Sequence, residues 1–282
     1  MEHHSIEATA AAISYIEAHL RDKLALETVA NAVCYSKYHL HRMFTDTLGL
    51  TPRAYIQRRQ LTEAAKCLVF SQTPVLELAL CAGYESQQAF TTVFKAMYKR
   101  TPAAYRQNKV FYPLQLAPAL KPDPSVLDSA CAISYAGLSD LPAWMEFAAL
   151  VVDGFPCLDR AAHLAQVEGY IRRRQALLVR DGETIVGAAA GSPQAGSIDF
   201  LAVHPQYRRC GLAAALLTFM RQAFFGARAV SITTFRAGDK ADPGQRAAYQ
   251  RLGFVESELL VEFGYPTQRL ILPPVQGGVR CG

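Results

Sequence analysis

The 282-residue sequence predicts two domains, an all-α tandem helix-turn-helix domain followed by an α/β domain. Three observations carry this. A phrase recurs at an offset of fifty residues: Ser36-Lys-Tyr-His-Leu-His-Arg-Met-Phe44 with Thr51-Pro-Arg-Ala-Tyr55, then Ser86-Gln-Gln-Ala-Phe-Thr-Thr-Val-Phe94 with Thr101-Pro-Ala-Ala-Tyr105. Helical periodicity holds to about Gln107 and then gives way to a stretch, Asn108 to Pro124, that contains four prolines. Beyond it, helical segments alternate with short β-branched runs.

The first half is justified element by element. Each copy of the phrase follows an apolar helical segment and a tight turn, Ala30 to Tyr35 and Ala79 to Tyr84, which is the order of a helix-turn-helix. Ser36 suits an N-cap, and Leu40, Met43 and Phe44 fall at the spacing of a buried stripe. The opposite face carries Tyr38, His41, Arg42 and Thr45, with Lys37 at the helix start. In the second copy Phe90, Val93, Phe94 and Met97 form the stripe, and Gln88, Thr91, Thr92 and Lys95 the polar face, with Gln87 at the start. Arg42 can pair bidentately with guanine and Gln88 with adenine, while the other groups suit phosphates or thymine methyls. Any soluble amphipathic helix has a polar face; two such faces behind the same turn chemistry predict a sequence-specific reader of the major groove of double-stranded DNA. A helix over Pro52 to Phe70, with Arg53, Arg58, Arg59 and Lys66, spaces the units by about one DNA turn (~34 Å). Charge agrees: residues 1–110 hold 13 Lys+Arg against 9 Asp+Glu, and residues 111–282 hold 16 against 15, so the excess lies with the repeats.

Residues 109–128 read as a semi-rigid proline-rich linker. After it, Gln175 to Arg180 and Thr184 to Ala190 flank an Asp181-Gly182 hairpin signal, followed by strands over Ser197 to Val203 and Ala229 to Thr234. The third strand runs into His204-Pro-Gln-Tyr-Arg208-Arg209-Cys210-Gly211-Leu212-Ala213 and an apolar helix, Ala214 to Phe225. Strand, small-residue loop and helix in that order make a pyrophosphate cradle of backbone N–H groups, flanked by Arg208 and Arg209. Ala247-Ala-Tyr249-Gln-Arg-Leu-Gly253-Phe254 follows some forty residues later.

Seven scattered cysteines with no Cys-x-x-Cys pair suggest neither a disulfide framework nor a zinc site, and Cys34 and Cys81 read as small buried fillers in the two turns. His39 and His41, two apart on a helix, cannot share a metal, and no metal is expected. No apolar run approaches the roughly 18 residues of a membrane span, and the acidic start is unlike a signal peptide, so a cytoplasmic location without membrane partners is expected. Arg172-Arg-Arg174 reads as a solvated face, with contact to a nucleic-acid or cofactor phosphate left open.

Residues 10–107 resemble the DNA-binding domain of the AraC/XylS family of bacterial transcription regulators. The resemblance rests on Tyr-Ser-x-x-x-Leu-x-Arg-x-Phe at Tyr35 to Phe44, Gly-Tyr-x-Ser-x-x-x-Phe-x-x-x-Phe-Lys at Gly83 to Lys95, and the two Thr-Pro-x-x-Tyr closures. Two departures are the absence of a basic residue at Thr92 and Lys99 in the place of Gly49.

Residues 130–273 resemble the GNAT superfamily of acyl-CoA-dependent N-acyltransferases through Arg-x-x-Gly-x-Ala at Arg208 to Ala213 and the late Tyr249 and Gly253-Phe254. The resemblance implies domains at 1–108 and 129–282, the second an α/β fold with a mixed, mostly antiparallel sheet. It also implies acetyl-CoA as co-substrate, held by Arg208, Arg209, Cys210, Gly211, Leu212 and Ala213, with backbone groups of Leu201 and Val203 aligning the pantetheine. The acceptor is an amine, on a small molecule or a protein. Tyr249 is either the acid that protonates the departing thiolate or a ring packed against the donor; Asp199, expected on one strand face with Ser197, Leu201 and Val203, is either the base for the amine or a structural hydrogen-bonding group. Glu262 and Tyr265 are expected at the acceptor pocket. Relatives often carry a donor-contacting asparagine where this chain has Asp242-Pro-Gly-Gln-Arg246, so Asp242 or Gln245 must substitute for it, or the domain senses acyl-CoA or another ligand without turnover.

Overall fold

The computed structural model describes residues 2–121, 133–151, 159–262 and 264–274. Residues 122–128 of the expected linker lie outside the described residues. Two compact units emerge: one holds the described residues to 121 together with Asp239–Pro243, the other the rest.

The first unit is helical: α1 (Glu2–Ala18), α2 (Leu26–Ala32), α3 (Lys37–Leu48), α4 (Pro52–Phe70), α5 (Val75–Cys81), α6 (Gln87–Tyr98) and α7 (Pro102–Asn108). The repeat is repeated chemistry. Ser36 and Ser86 accept from the backbone N–H of His39 and Ala89 at 3.3 and 3.2 Å, and Thr51 and Thr101 from those of Ala54 and Ala104 at 3.2 and 3.3 Å. Both α3 and α6 end on a left-handed residue, Gly49 at φ 73° and Lys99 at φ 59°. Leu40, Phe44, Tyr55 and Ile56 pack with Ala12 and Ile16 in one core cluster. Phe94, Tyr98, Tyr105 and Tyr112 form an aromatic cluster in the second unit of the repeat, with Phe94 and Tyr98 stacked and Tyr105 and Tyr112 edge-on to Tyr98. Tyr112, Leu114 and Gln115 are buried, and the Thr62 hydroxyl accepts from the N–H groups of Leu114 and Gln115 at 3.0 and 3.2 Å. The first part of the proline-rich stretch is thus laid along α4.

The turn cysteines are not the buried fillers expected: both thiols are exposed. Cys34 is left-handed at φ 59° and matches Gly83 (φ 78°), the turn residue of the second copy, whereas Cys81 ends α5. The turn geometry, with Tyr35 and Tyr84 N–H donating to Ala30 and Ala79 carbonyls, forces positive φ at both places.

The second unit is a seven-stranded sheet in the order β1-β2-β3-β4-β5-β7-β6. Its strands are β1 (Ser134–Tyr135), β2 (Ala176–Asp181), β3 (Thr184–Ser192), β4 (Ser197–Val203), β5 (Val230–Phe235), β6 (Val255–Glu262) and β7 (Tyr265–Leu272). Every neighbouring pair is antiparallel except β4 with β5. The helices are α8 (Leu141–Val151), α9 (Arg160–Arg172), α10 (Leu212–Met220), continued by a π turn over Arg221–Phe225, and α11 (Gln245–Arg251). Leu212, Leu216, Leu217 and Met220 of α10 cluster with Ile198, Leu201 and Val203 of β4. No helix among the described residues is long and apolar enough to cross a membrane.

Candidate functional sites

On α3, Tyr38, His41 and Arg42 are exposed and Thr45 half-buried; on α6, Gln87, Gln88, Thr92 and Lys95 are exposed and Thr91 half-buried. Each expected polar face therefore stands outward over its own apolar stripe. Thr45 and Thr92 each turn their hydroxyl back to the carbonyl four residues earlier, on His41 and Gln88, at 2.7 and 3.0 Å. That leaves their methyl groups as the outward feature. Lys37 is in an ion pair with Glu27 of α2 at 2.8 Å, a partner the sequence did not reveal. Of the basic residues on α4, only Arg53 and Lys66 are exposed. Arg58 and Arg59 turn inward. Arg59 pairs with Glu17 and Glu63 at 2.7 and 3.0 Å, and Arg58 donates to the Leu114 carbonyl at 2.7 Å.

In the α/β unit, β4 organises a second site. It pairs with β3 along its length, but with β5 only through Ser197 and Ile198, so the two parallel strands separate from Asp199 onward. The register between β3 and β4 also slips there: Gly191 faces Ile198, Ala190 faces Phe200, and Asp199 is the extra residue of a β-bulge. Side chains on a regular strand alternate. Ile198, Leu201 and Val203 nonetheless share one core cluster, because the bulge reverses the alternation between them. Asp199 therefore does not share a face with Leu201 and Val203 as expected. Its exposed carboxylate accepts from Tyr170 of α9 at 2.5 Å, and the adjacent Phe200 ring lies against Trp144 and His163 at centroid distances of 5.2 and 5.8 Å. Burial holds the His163 imidazole below its usual pKa. Gly191 permits this geometry: a Cβ there would stand 2.4 Å from the Ser197 carbonyl oxygen.

Tyr249 of α11 is buried, and its hydroxyl donates to the Leu201 carbonyl at 3.1 Å while receiving from Gln245 Nε2 at 2.9 Å. The phenol thus reaches β4 on the stretch that β5 leaves unpaired. Past Val203, Gly211 is the left-handed N-cap of α10 at φ 75°, without a side-chain cap, and a Cβ there would meet nothing within 4 Å. The first N–H groups of α10, at Leu212 and Ala213, therefore receive no side-chain acceptor from the cap position, an arrangement that suits an anion. Arg209 and Cys210 are exposed beside it and Arg208 is half-buried. Gln245 joins this site directly, whereas Asp242 is grouped with the helical unit.

Of the two residues expected at the acceptor side, Tyr265 is 1% exposed and packs edge-on against Phe235, so it is core rather than pocket lining. Glu262 is half-buried and accepts from Thr233 and Thr267 at 3.4 and 3.2 Å. In the Arg172 to Arg174 run, Arg172 pairs with Glu168 at 2.5 Å, and Arg173 and Arg174 lie over the Tyr170 and Tyr135 rings. Tyr170 and Gly191 are the site residues that the sequence reading missed. A glycine inside an otherwise apolar strand was the available signal for the bulge; Tyr170 had none, since its partner lies 29 residues away.

Residues 29–108 match the family described as helix-turn-helix domain, and residues 172–256 the family described as acetyltransferase (GNAT) domain. The chain is 39% identical over 107 residues to the right origin-binding protein of Escherichia coli (strain K12), covering 38% of this chain and 37% of that protein. It thus spans little more than a third of that relative's length. It is also 39% identical over 98 residues to the probable transcription factor PqrA of Proteus vulgaris, covering 34% of this chain and 80% of that one. Among solved structures, a GNAT-family acetyltransferase from Bacillus cereus ATCC 10987 aligns at 16% identity with a TM-score of 0.39, covering 51% of this chain and 97% of that one.

Proposed function

The chain belongs to the AraC-type helix-turn-helix transcription regulators and carries a GNAT domain in the same polypeptide, and from that premise we propose that it is a sequence-specific DNA-binding regulator whose second domain transfers acetyl from acetyl-CoA to an amine. The observation that carries the catalytic part is the Tyr249 hydroxyl, held by Gln245 and Leu201 on the unpaired stretch of β4.

The residues fit the donor. The uncapped start of α10 and Arg209 suit a pyrophosphate, and the gap between β4 and β5 gives an extended chain backbone partners at Leu201 and Val203. In the proposed reaction the Asp199 carboxylate takes a proton from the ammonium form of the acceptor. The freed amine attacks the thioester carbonyl, the C–S bond breaks as the nitrogen gives up its second proton to solvent, and Tyr249 gives its proton to the departing sulfur before regaining one from solvent, as Asp199 releases its own. The balance is one amide, one thiol and one proton released. On the DNA side, Arg42 and Gln88 read base edges while Lys95 and Lys37 contact phosphate.

Thiol release from acetyl-CoA with a panel of primary amines tests the enzyme reading, with Tyr249→Phe as the comparison. A second reading, a non-catalytic acyl-CoA sensor, is favoured by the segment Asp242-Pro-Gly-Gln-Arg246, which lacks the donor-contacting asparagine often found in relatives. It predicts acetyl-CoA binding without thiol release for every amine.

A further inference from the structure

We propose that Tyr170 is the positioning residue of the acceptor side, holding the Asp199 carboxylate so that one oxygen is committed to the protein and the other faces the incoming amine. The inference rests on the transferase reading above. Tyr170 lies two residues before the end of α9 and is buried, while Asp199 is exposed on the β4 bulge. The phenol donates to Oδ2 of Asp199 at 2.5 Å, and Gln166, one turn earlier on α9, donates to the phenol oxygen at 3.1 Å. Gln166, Tyr170 and Asp199 therefore form a directed chain in which every donor points toward the carboxylate. Oδ1 of Asp199 has no hydrogen bond among the described residues and is left for a substrate N–H.

The direction of the chain matters because a phenol facing a carboxylate donates only while it keeps its proton. Burial first, and then the adjacent Asp199, push the Tyr170 hydroxyl up to about 12, so it remains a donor throughout the working range. A bulged residue has no cross-strand neighbour to fix its side chain. Asp199 would otherwise sample several rotamers, and an oxygen displaced by an ångström loses its reach to the amine. Tyr170 does not touch the reacting atoms in this arrangement; it acts through Asp199.

A double-mutant cycle on the full-length protein tests this, with acetyl-CoA, the primary-amine panel and thiol release as readout. Tyr170→Phe is expected to lower kcat about tenfold, with acetyl-CoA binding by calorimetry within about twofold of wild type. In an Asp199→Asn background, Tyr170→Phe is expected to cost nothing further. Carbon-13 labelling at the tyrosine ring carbon bearing oxygen gives an activity-independent signature: the resonance lost in Tyr170→Phe should move in Asp199→Asn. An additive cycle, an unmoved resonance, or full activity in Tyr170→Phe would overturn the proposal while leaving the transferase reading intact. No thiol release by wild type with any amine would instead remove the transferase reading, and the positioning role with it.

Discussion

In the proposed reaction Tyr249 concentrates the chemistry of the α/β unit at one phenol. Replacing it with Phe removes a proton donor and leaves the buried Leu201 carbonyl without its 3.1 Å partner. Turnover is expected to fall about 100-fold, a common worth of a positioned acid, and stability by about 1 kcal/mol, measured by thiol release and urea denaturation. Acetyl-CoA affinity should change little. Gly191 acts at the same scale through space: a Cβ 2.4 Å from the Ser197 carbonyl forces β3 and β4 apart, so Gly191→Ala should destabilise by about 2 kcal/mol and impair turnover. His163 gives a pH dependence. Burial depresses its folded pKa, so the unfolded chain binds the extra proton below about pH 6.5. Stability is then unaffected above that pH and falls below it; the thermal midpoint of His163→Phe should drop less than that of wild type between pH 7 and pH 5.5. Tyr249 was legible because it stands four residues before Gly253, a local spacing. Tyr170 was not legible, because its contact with Asp199 depends on a bulge that no local spacing announces.

At the scale of elements, the fifty-residue repeat is a repeat of capping and turn geometry, and it makes comparative predictions. Ser36→Ala and Ser86→Ala should each cost about 1 kcal/mol, since both serines cap in the same way. Cys34→Gly should stabilise by up to about 1 kcal/mol in urea denaturation, because Cys34 holds at φ 59° the conformation that Gly83 holds without strain. Glu27→Gln, which releases Lys37 and removes an acidic group beside α3, should raise DNA affinity a few-fold at low salt. Legibility followed periodicity here as well. The bounds of β4 are those read from the sequence, and its neighbours shifted by one or two residues. β6 escaped because the first five of its residues are all exposed, which erases the alternation that marks a half-buried strand. The basic residues of α4 show the converse limit: Arg58 and Arg59 look like surface charge in sequence, while partners distant in the chain, among them Glu17 and the Leu114 carbonyl, draw them inward.

For the whole molecule, two units with separate cores carry the two kinds of recognition proposed for one chain, with outward polar helices in the first and a parted strand pair leading to a helix without a side-chain cap in the second. If donor occupancy alters DNA affinity by some factor, thermodynamic linkage requires DNA to alter donor affinity by the same factor. Both rest on a more basic claim, that the second unit takes acetyl-CoA at the start of α10. Calorimetric titration of the full-length protein with acetyl-CoA, beside Gly211→Glu and Arg209→Glu, tests that claim most directly. Saturable binding by wild type that both variants lose is the predicted result; no binding by folded wild type, or equal binding by all three, would contradict it.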